Sequence, residues 1–487
     1  MPITTGGQRL LRRRTKIVAT IGPSSSSRPV VERMIAAGVD VFRVNMSHSD
    51  HAGQRARIHL VREVAAAAKK HVAILADLSG PKIRTGTFAG GGIALADGDT
   101  VTVTTRAVEG KPGLIPSQYE ALARDVRAGD RILLDDGNLE LKVESTDGTD
   151  VVCRVVHGGH LSDRKGMNLP GVAVSAPSLT PKDREDAAFA LAEKVDYLAL
   201  SFVRRAADVH ALRELVEASG HEADIIAKIE KPEALQDIEN ILVAADGIMV
   251  ARGDLGVELP PEQVPLAQSQ LVDLARQAGK PVIVATQMLE SMMDHARPTR
   301  AEVSDVSSAV RSGTDAIMLS GESAAGKFPV EAVEMMDRIA RDTEVYMWER
   351  GAFGGLTPAA NVPTPPLRLE DAIARATSQL SRDLMVHAIV VLTRSGSTAQ
   401  LISTWRPQAP VLGVSARPET VRKLCLFWGV IPILIAEEVP EEDAAAVPQI
   451  AVDAGVAHAG EHILEVRGFH PRDPRRSVPL VRVFRVG

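Results

Sequence analysis

The sequence predicts an α/β protein: a (β/α)₈ TIM barrel with an inserted small β-barrel lid domain and a C-terminal α/β domain. Three observations support this. Short apolar runs alternate with amphipathic stretches, one early interval changes to a Gly- and Asp-punctuated β pattern, and a second α/β pattern follows a Gly- and Pro-rich stretch. The chain has 487 residues, which favours several domains, because single cores rarely grow beyond about 250–300 residues.

The barrel is predicted by eight apolar runs with helical stretches such as 52–70, 206–218 and 261–278 between most of them. Runs that are apolar throughout are typical of strands covered on both faces, and repeated strand–helix units favour a closed parallel barrel. The predicted strands are Ile17–Ile21, Val39–Val44, Val72–Ala76, Tyr197–Phe202, Ile225–Ile229, Gly247–Ala251, Val282–Ala285 and Ala316–Leu319. We expect the barrel domain to span residues 16–86 and 171–350.

Residues 87–170 interrupt this rhythm after the third barrel strand. Alternating patterns there predict a small all-β unit, with strands at Thr100–Thr104, Arg131–Leu134, Leu139–Val143 and Val151–Val156. An insertion in a loop that follows a barrel strand lies at the carboxyl face of the barrel, so we expect a mobile lid over the functional site.

The C-terminal region is predicted as a linker at 351–366 and an α/β unit at 367–487. Its predicted strands are Ala388–Leu392, Val411–Val414, Ile431–Ile435 and Leu480–Val486. At the other end, residues 1–15 are basic but lack an apolar core and a cleavage site, so we expect a solvated tail rather than a secretory signal.

Composition excludes several classes of protein. The net charge of −6 gives no general attraction to nucleic acid or to an anionic membrane. Cys153 and Cys425 have no partner at metal-ligand spacing, which argues against a zinc site or a disulfide framework and favours a reducing, cytoplasmic compartment. No apolar run reaches the roughly 18 residues that span a bilayer.

Polar residues follow six of the predicted barrel strands at their carboxyl ends, and a closed barrel brings these ends to one rim. They are Arg43, Asn45, Asp77, Lys228, Glu230, Arg252, Asp254, Thr286, Ser320 and Glu322. Carboxylates such as Glu230 and Asp254 suit a magnesium ion that shares substrate oxygens. Cations such as Arg43, Lys228 and Arg84 suit a phosphoryl group, so the rim predicts phosphoryl transfer.

Several motifs resemble those of the pyruvate kinase family, in order along the barrel and through the insertion. They are TKIVATIGPS (Thr15–Ser24), VFRVNMSH (Val41–His48), DLSGPKIRTG (Asp77–Gly86), KGMNLPG (Lys165–Gly171), IAKIE (Ile226–Glu230), GIMVARGDLGV (Gly247–Val257), VIVATQMLESM (Val282–Met292), PTRAEVSD (Pro298–Asp305) and AIMLSGES (Ala316–Ser323). The resemblance implies transfer from phosphoenolpyruvate to ADP, giving pyruvate and ATP, with Mg²⁺ (or Mn²⁺) as cofactor. It also implies a homotetramer.

The resemblance implies roles for individual residues. Arg43 and Lys228 would hold the phosphoryl group, and Glu230 and Asp254 the metal. Gly253, Asp254 and Thr286 would meet the substrate carboxylate, and Thr286, Ser320 and Glu322 would form the path of the proton to the enolate. The nucleotide side would consist of Asn45, His48, Arg84 and Lys182. Plainer interpretations stay open for three of these residues: a loop hydrogen bond for His48, a helix N-cap for Ser320 and a solvated side chain for Lys182.

Two segments differ from the common pattern of the resembled family. Lys82 stands where many members have glutamate. In those members a potassium ion lies near the residues that correspond to Asn45, Ser47 and Asp77, and Leu78 beside them is typical of the potassium-independent branch. The Lys82 ammonium should replace that ion, which predicts activity without potassium. The second segment resembles an effector-phosphate loop and comprises Thr393, Arg394, Ser395, Gly396, Ser397 and Thr398. The arginine-rich tail after Gly468 lacks the usual glycine-rich loop, so a sugar monophosphate or AMP is as consistent as fructose 1,6-bisphosphate, and so is no effector at all.

Two other functions fit parts of the pattern. A catalytically silent metabolite sensor would be expected to have lost one of Lys228, Glu230, Asp254, Arg43 or Thr286. A mutase or aldolase-like lyase acting on phosphoenolpyruvate would need neither the lid nor a nucleotide side.

Overall fold

Eight parallel strands close into a barrel in the computed structural model, which describes residues 12–350, 366–440, 443, 445–468 and 478–487. The neighbours around the barrel are β1-β16-β15-β14-β13-β12-β3-β2. The strands are β1 (Lys16–Thr20), β2 (Val41–Asn45), β3 (Ala73–Asp77), β12 (Tyr197–Leu200), β13 (Asp224–Ile229), β14 (Gly247–Ala251), β15 (Val282–Ala285) and β16 (Ala316–Leu319). Most are buried along their whole length, as their apolar sequences predict. The barrel fold is thereby confirmed.

Helices cover the outside of the barrel, and several begin at a capping residue that the sequence supplies. The Thr180 and Thr299 side chains accept hydrogen bonds from the N–H groups of Asp183 and Glu302, which completes two capping boxes. The helices are α1 (Arg28–Ala36), α2 (His51–Ala67), α4 (Pro181–Ala192), α5 (Ala206–Ser219), α6 (Pro232–Gln236), α7 (Ile238–Ala244), α8 (Arg252–Glu258), α9 (Val264–Gln277), α10 (Arg300–Arg311), α11 (Gly321–Ala324) and α12 (Pro329–Glu349).

The insertion between β3 and β12 folds as two sheets around one apolar core. One sheet has six strands in the order β11-β7-β8-β9-β5-β6, and the other pairs β10 with β4. Its elements are β4 (Gly92–Leu95), β5 (Thr100–Thr104), β6 (Leu114–Pro116), α3 (Leu122–Asp125), β7 (Arg131–Leu134), β8 (Leu139–Thr146), β9 (Asp150–His157), β10 (Gly159–Ser162) and β11 (Met167–Asn168). We call this unit the lid.

The C-terminal unit is a five-stranded sheet in the order β19-β18-β17-β20-β21, parallel except for β21. Its elements are α13 (Leu369–Asp383), β17 (Ala388–Leu392), α14 (Ser397–Thr404), β18 (Val411–Ser415), α15 (Pro418–Lys423), β19 (Val430–Leu434), α16 (Ala446–Asp453), β20 (His462–Arg467) and β21 (Leu480–Arg485). The predicted linker lies outside the described residues except for its last residue, Pro366, and so does most of the predicted basic tail. Among the described helices, none combines the length and apolar character needed to cross a bilayer.

The C-terminal unit binds the amino-terminal end of the barrel, opposite the rim that carries the predicted site. Arg406 lies 3.0 Å from Asp315, which precedes β16, and both side chains are almost fully buried. Lys423 lies 2.6 Å from Asp224 at the start of β13. The apolar interior of the barrel also continues into this interface. The two domains therefore share one core, reinforced by ion pairs.

Asp224 should make the stability of this interface depend on pH. Burial raises the pKa of Asp224 from 3.8 to about 6, and Lys423 offsets only part of that effect. Between these values the folded protein binds more protons than the unfolded chain, so the contribution of Asp224 to stability falls as pH rises through this window. We expect the unfolding temperature of the wild type, relative to Asp224→Asn, to fall as pH rises from about 4 to about 6. A difference that does not change with pH would contradict this assignment.

Candidate active site

The residues predicted at the rim converge at the carboxyl ends of β1, β2, β3 and β13. Arg43 on β2 contacts Asp77 at the end of β3, with 2.6 Å from Nη2 to Oδ2. Its Nη1 also donates to Thr20 Oγ1 of β1 at 3.1 Å. These contacts fix the guanidinium across three neighbouring strands.

Lys228 lies at the centre of the cluster. Its Nζ is 2.9 Å from Glu230 Oε1 and 3.3 Å from Asp77 Oδ1, and it donates to Ser201 Oγ at 2.7 Å. Its side chain is 11% exposed, while those of Asp77 and Glu230 are 2% and 1% exposed. The cluster therefore combines two cations and two carboxylates at the floor of the rim.

Burial and neighbouring charges act in opposite directions on the pKa values of this cluster. Burial disfavours the ammonium of Lys228, but Asp77 and Glu230 outweigh it, so the pKa of Lys228 is raised. Burial also opposes ionisation of Asp77, yet Lys228 and Arg43 together lower its pKa. The pKa of Glu230 is raised by burial, which Lys228 offsets only in part. Glu230 is therefore the carboxylate of the cluster whose ionised form a further positive charge would stabilise most.

Glu230 and Asp254 remain the candidate metal ligands. Phe202 N–H donates to Glu230 Oε2 at 2.7 Å, which fixes the orientation of the carboxylate. Asp254 lies in the first turn of α8 and is close enough to raise the pKa values of Lys228 and Glu230, after the larger effects of burial and nearer charges. Within the described ranges, no group of three or more His, Cys, Asp or Glu side chains could hold a metal. A magnesium ion here would take its other ligands from substrate and water, as Mg²⁺ commonly does.

Thr286 follows β15 in a strained backbone conformation. Its φ is +68°, which is unusual for a β-branched residue, and the next residue, Gln287, has φ +53°. The Thr286 hydroxyl accepts from Gly253 N–H at 2.7 Å and donates to Ala285 O at 2.6 Å. Strain of this kind clusters at functional sites, and here it brings the Thr286 side chain to the start of α8.

Ser320 and Glu322 lie next to each other after β16. Glu322 accepts the N–H of Ser320 at 2.7 Å and that of Leu289 at 3.1 Å. Burial raises the pKa of Glu322 in spite of these hydrogen bonds. Ser320 is at the N-cap of α11, but its side chain makes no capping hydrogen bond, and its buried Oγ has no partner among the described residues.

The residues predicted on the nucleotide side lie on two neighbouring segments. Asn45 Oδ1 accepts Ser47 N–H at 3.0 Å, and Lys182 donates to Met46 O at 3.0 Å. Lys182 also pairs with Asp186, which sequence reasoning missed and which in turn binds His51 at 2.8 Å. The backbone carbonyl of His48 accepts from Gln54, and no hydrogen bond of its ring occurs within the described residues. Arg84 lies apart, donating to Arg164 O at 3.0 Å at the base of the lid.

Lys82, predicted to replace a potassium ion by its positive charge, forms no ion pair with Asp77. Asp77 is bound by Arg43 and Lys228 instead, and Leu78 is buried. Lys82 is exposed, makes no ion pair within the described part of the chain, and lines a cleft between lid and barrel together with Asp254. Lys82 therefore lies on the same cleft as Asp254, one of the two candidate metal ligands.

The predicted effector loop lies in the C-terminal unit, far along the chain from the rim residues. Gly396 has φ +90° and donates its N–H to Thr393 Oγ1 at 3.0 Å, and Ser395 and Ser397 share a hydrogen bond of 2.8 Å. The Arg394 side chain is 81% exposed. Thr398 is buried, so it faces the core rather than the mouth of the loop.

Comparisons with known proteins agree with this geometry. The family model described as pyruvate kinase, barrel domain, matches residues 12–333, and pyruvate kinase, alpha/beta domain, matches residues 371–478. The chain is 48% identical to pyruvate kinase 2 of Synechocystis sp., covering 88% of this chain and 71% of the relative. It is 41% identical to the pyruvate kinase of Mycobacterium tuberculosis over 98% of this chain and 99% of that one. A crystal structure of a pyruvate kinase from Cryptosporidium parvum superimposes with a TM-score of 0.90 at 35% identity, covering 98% of this chain and 96% of the other.

Proposed function

The chain belongs to the pyruvate kinase family of transferases, and from this we propose that it transfers the phosphoryl group of phosphoenolpyruvate to ADP in the cytoplasm. The observation that carries the proposal is the Lys228 ammonium, held 2.9 Å from Glu230 and 3.3 Å from Asp77 at the carboxyl rim of the barrel. A lactate-dehydrogenase-coupled assay with phosphoenolpyruvate, ADP and Mg²⁺ tests it. No pyruvate formation above background would contradict it.

Lys228 and Arg43 supply charge rather than protons. The raised pKa of Lys228, which burial opposes but Asp77 and Glu230 produce, keeps it an ammonium throughout the physiological range. It can therefore offset the charge that spreads over the phosphoryl oxygens as the bond to the enol oxygen breaks and the bond to the ADP β-phosphate forms. Arg43, fixed by Asp77 and Thr20, presents a fork suited to the same group.

Glu230 and Asp254 are the residues that would hold Mg²⁺, or Mn²⁺ in its place. A bound divalent ion would polarise the substrate oxygens and neutralise the charge that develops on them. Glu230 suits this task because its pKa is raised by burial and a metal would restore the ionised carboxylate. Phe202 N–H leaves the other carboxylate oxygen facing Lys228.

The enolate left after transfer must gain a proton at carbon to become pyruvate. The Thr286 hydroxyl already donates to Ala285 O, so we assign Thr286 to positioning of Gly253 and of the substrate carboxylate. Ser320, whose Oγ has no partner within the described residues, and Glu322, whose pKa is raised by burial, are better suited to relay the proton through water.

The remaining assignments concern the nucleotide and regulation. We assign Asn45, His48, Arg84 and Lys182 to the nucleotide side, where Lys182 keeps a side chain that is 58% exposed. Thr393–Thr398 would bind a phosphorylated effector, and the enzyme would act as a homotetramer. A thermal-shift panel of sugar monophosphates, AMP and fructose 1,6-bisphosphate tests the effector.

We expect activity without potassium. The Lys82 ammonium is exposed in the cleft beside Asp254 and makes no ion pair within the described residues, so it is available to supply the local positive charge. Lys82→Glu should lower the rate about tenfold or more in potassium-free tetramethylammonium buffer and regain it when potassium is added. Strong activation of the wild type by potassium would contradict this prediction.

A further inference from the structure

The lid touches the barrel through a buried carboxylate that the family motifs did not single out. Glu258, the last residue of α8, has a side chain that is 1% exposed. One of its oxygens, Oε1, accepts from Asn168 Nδ2 of the lid at 3.2 Å and lies 2.5 Å from Lys231 Nζ. A buried carboxylate is stable only when it is paired and hydrogen-bonded, so this contact depends on both partners.

Glu258 is linked to both candidate metal ligands, to Glu230 through Lys231 and to Asp254 through α8. Lys231 follows Glu230 in the chain, and its ammonium lies 5.9 Å from the centre of the Phe202 ring. Phe202 itself donates its N–H to Glu230. Asp254 lies one helical turn before Glu258 on α8, and residues four apart share a face of a helix. Asn168 of the lid, Lys231 and Asp254 line the same cleft, so this face of α8 borders the lid.

The lid also approaches the same helix at a second place. The turn between β7 and β8 places Gly137 against α8, where a Cβ on Gly137 would lie 3.7 Å from Val257 Cγ1. Asn168 is held in register by its pairing with Leu133 of β7. The lid therefore hydrogen-bonds to Glu258 through Asn168 and approaches the neighbouring Val257 at Gly137.

We infer that Glu258 is a positioning residue that couples closure of the lid to the placement of the metal-binding carboxylates. When Asn168 binds Glu258, Glu258 holds Lys231 against the end of α8. Glu230, next to Lys231, and Asp254, on α8, are then held in place while the lid covers the cleft. When the lid moves away, Glu258 loses one of its two partners. The catalytic consequence of this coupling rests on the proposed function, whereas the contact between Glu258 and Asn168 is independent of it.

The contact can be tested by exchanging its polar groups. Glu258→Gln removes the charge that binds Lys231, and Asn168→Asp sets a second carboxylate against Glu258. Together the two substitutions again pair one carboxylate with one amide. Lid position is measured without substrate by energy transfer between dyes at Glu109→Cys in the lid and Glu239→Cys on the barrel, because both native cysteines are buried.

We expect each single substitution to lower the population of the lid conformation found in the wild type, and the double substitution to restore it. In the coupled assay each single substitution should lower kcat/KM for phosphoenolpyruvate about tenfold, with recovery to within about threefold in the double variant. A purely structural role would give additive losses without recovery, and unchanged energy transfer in Glu258→Gln would overturn the inference. If the double substitution restored energy transfer but the wild-type protein had no pyruvate kinase activity, the lid contact would be supported and the proposed function refuted.

Discussion

Replacing Lys228 with methionine is expected to lower kcat about 100- to 1,000-fold, since this is the usual cost of removing one preorganised group that stabilises charge in a transition state. Lys228 is the single ammonium that contacts both Asp77 and Glu230, and nothing else among the described residues bridges these two carboxylates. Methionine keeps most of the length of the side chain and removes the charge. The measurement is kcat in the coupled assay at saturating substrates.

The fold should survive this substitution. Asp77 keeps its ion pair with Arg43 at 2.6 Å, and Glu230, whose pKa burial already raises, can take up a proton. We therefore expect cooperative unfolding, with a transition close to that of the wild type in circular dichroism. Lys70→Met serves as the matched control, because Lys70 is exposed and lies before the amino-terminal end of β3, whereas the site lies at the carboxyl ends of the strands. Retained turnover in folded Lys228→Met protein would remove the proposed stabiliser of the phosphoryl group.

The barrel could be predicted because burial of both strand faces leaves a direct mark on the sequence. All eight predicted runs overlap the barrel strands, with bounds shifted by up to two residues, since parallel strands covered by helices must be apolar throughout. In the C-terminal sheet β20 was missed, because Glu465 interrupts its apolar run. That residue is fully buried, and its partners include Arg482 on β21, at 3.7 Å, a pairing that no local pattern reveals.

In the lid, the strands that the sequence did not predict are short. β5, β7, β8 and β9 were predicted, whereas β4, β6, β10 and β11, which have two to four residues, were missed because alternation over so few residues is a weak signal. β4 and β10 also pair with each other across a long stretch of chain. Such short strands are defined by their partners rather than by their own sequence.

The site could be predicted as far as its charged residues, but the groups that orient them could not. Ser201 and Phe202 act through a hydroxyl and a backbone N–H, and the φ of +54° at Phe202 has no signal in the sequence. Lys82 was predicted near Asp77, yet the carboxylate is satisfied by two other cations. The position of these residues at strand ends predicted that they lie at the rim. Which of their charges pair is known only from the three-dimensional contacts.

Replacing either candidate metal ligand by its amide should have the second large effect. Glu230→Gln and Asp254→Asn keep the shape of the side chain but remove one negative charge, and we expect kcat/KM to fall about 100-fold or more and the affinity for the divalent ion to fall about 10- to 100-fold. Glu230→Gln also leaves Lys228 with one carboxylate partner, Asp77.

The affinity can be measured without turnover, by titrating Mn²⁺ in the presence of phosphoenolpyruvate alone and following water-proton relaxation. Glu32→Gln, an exposed residue of α1, provides the control for loss of one charge. If the carboxylates acted only through Lys228, extra metal would not rescue the variants. Recovery of rate at high Mg²⁺ would therefore assign the loss to metal binding, whereas unchanged Mn²⁺ affinity in both variants would show that the ion is held elsewhere.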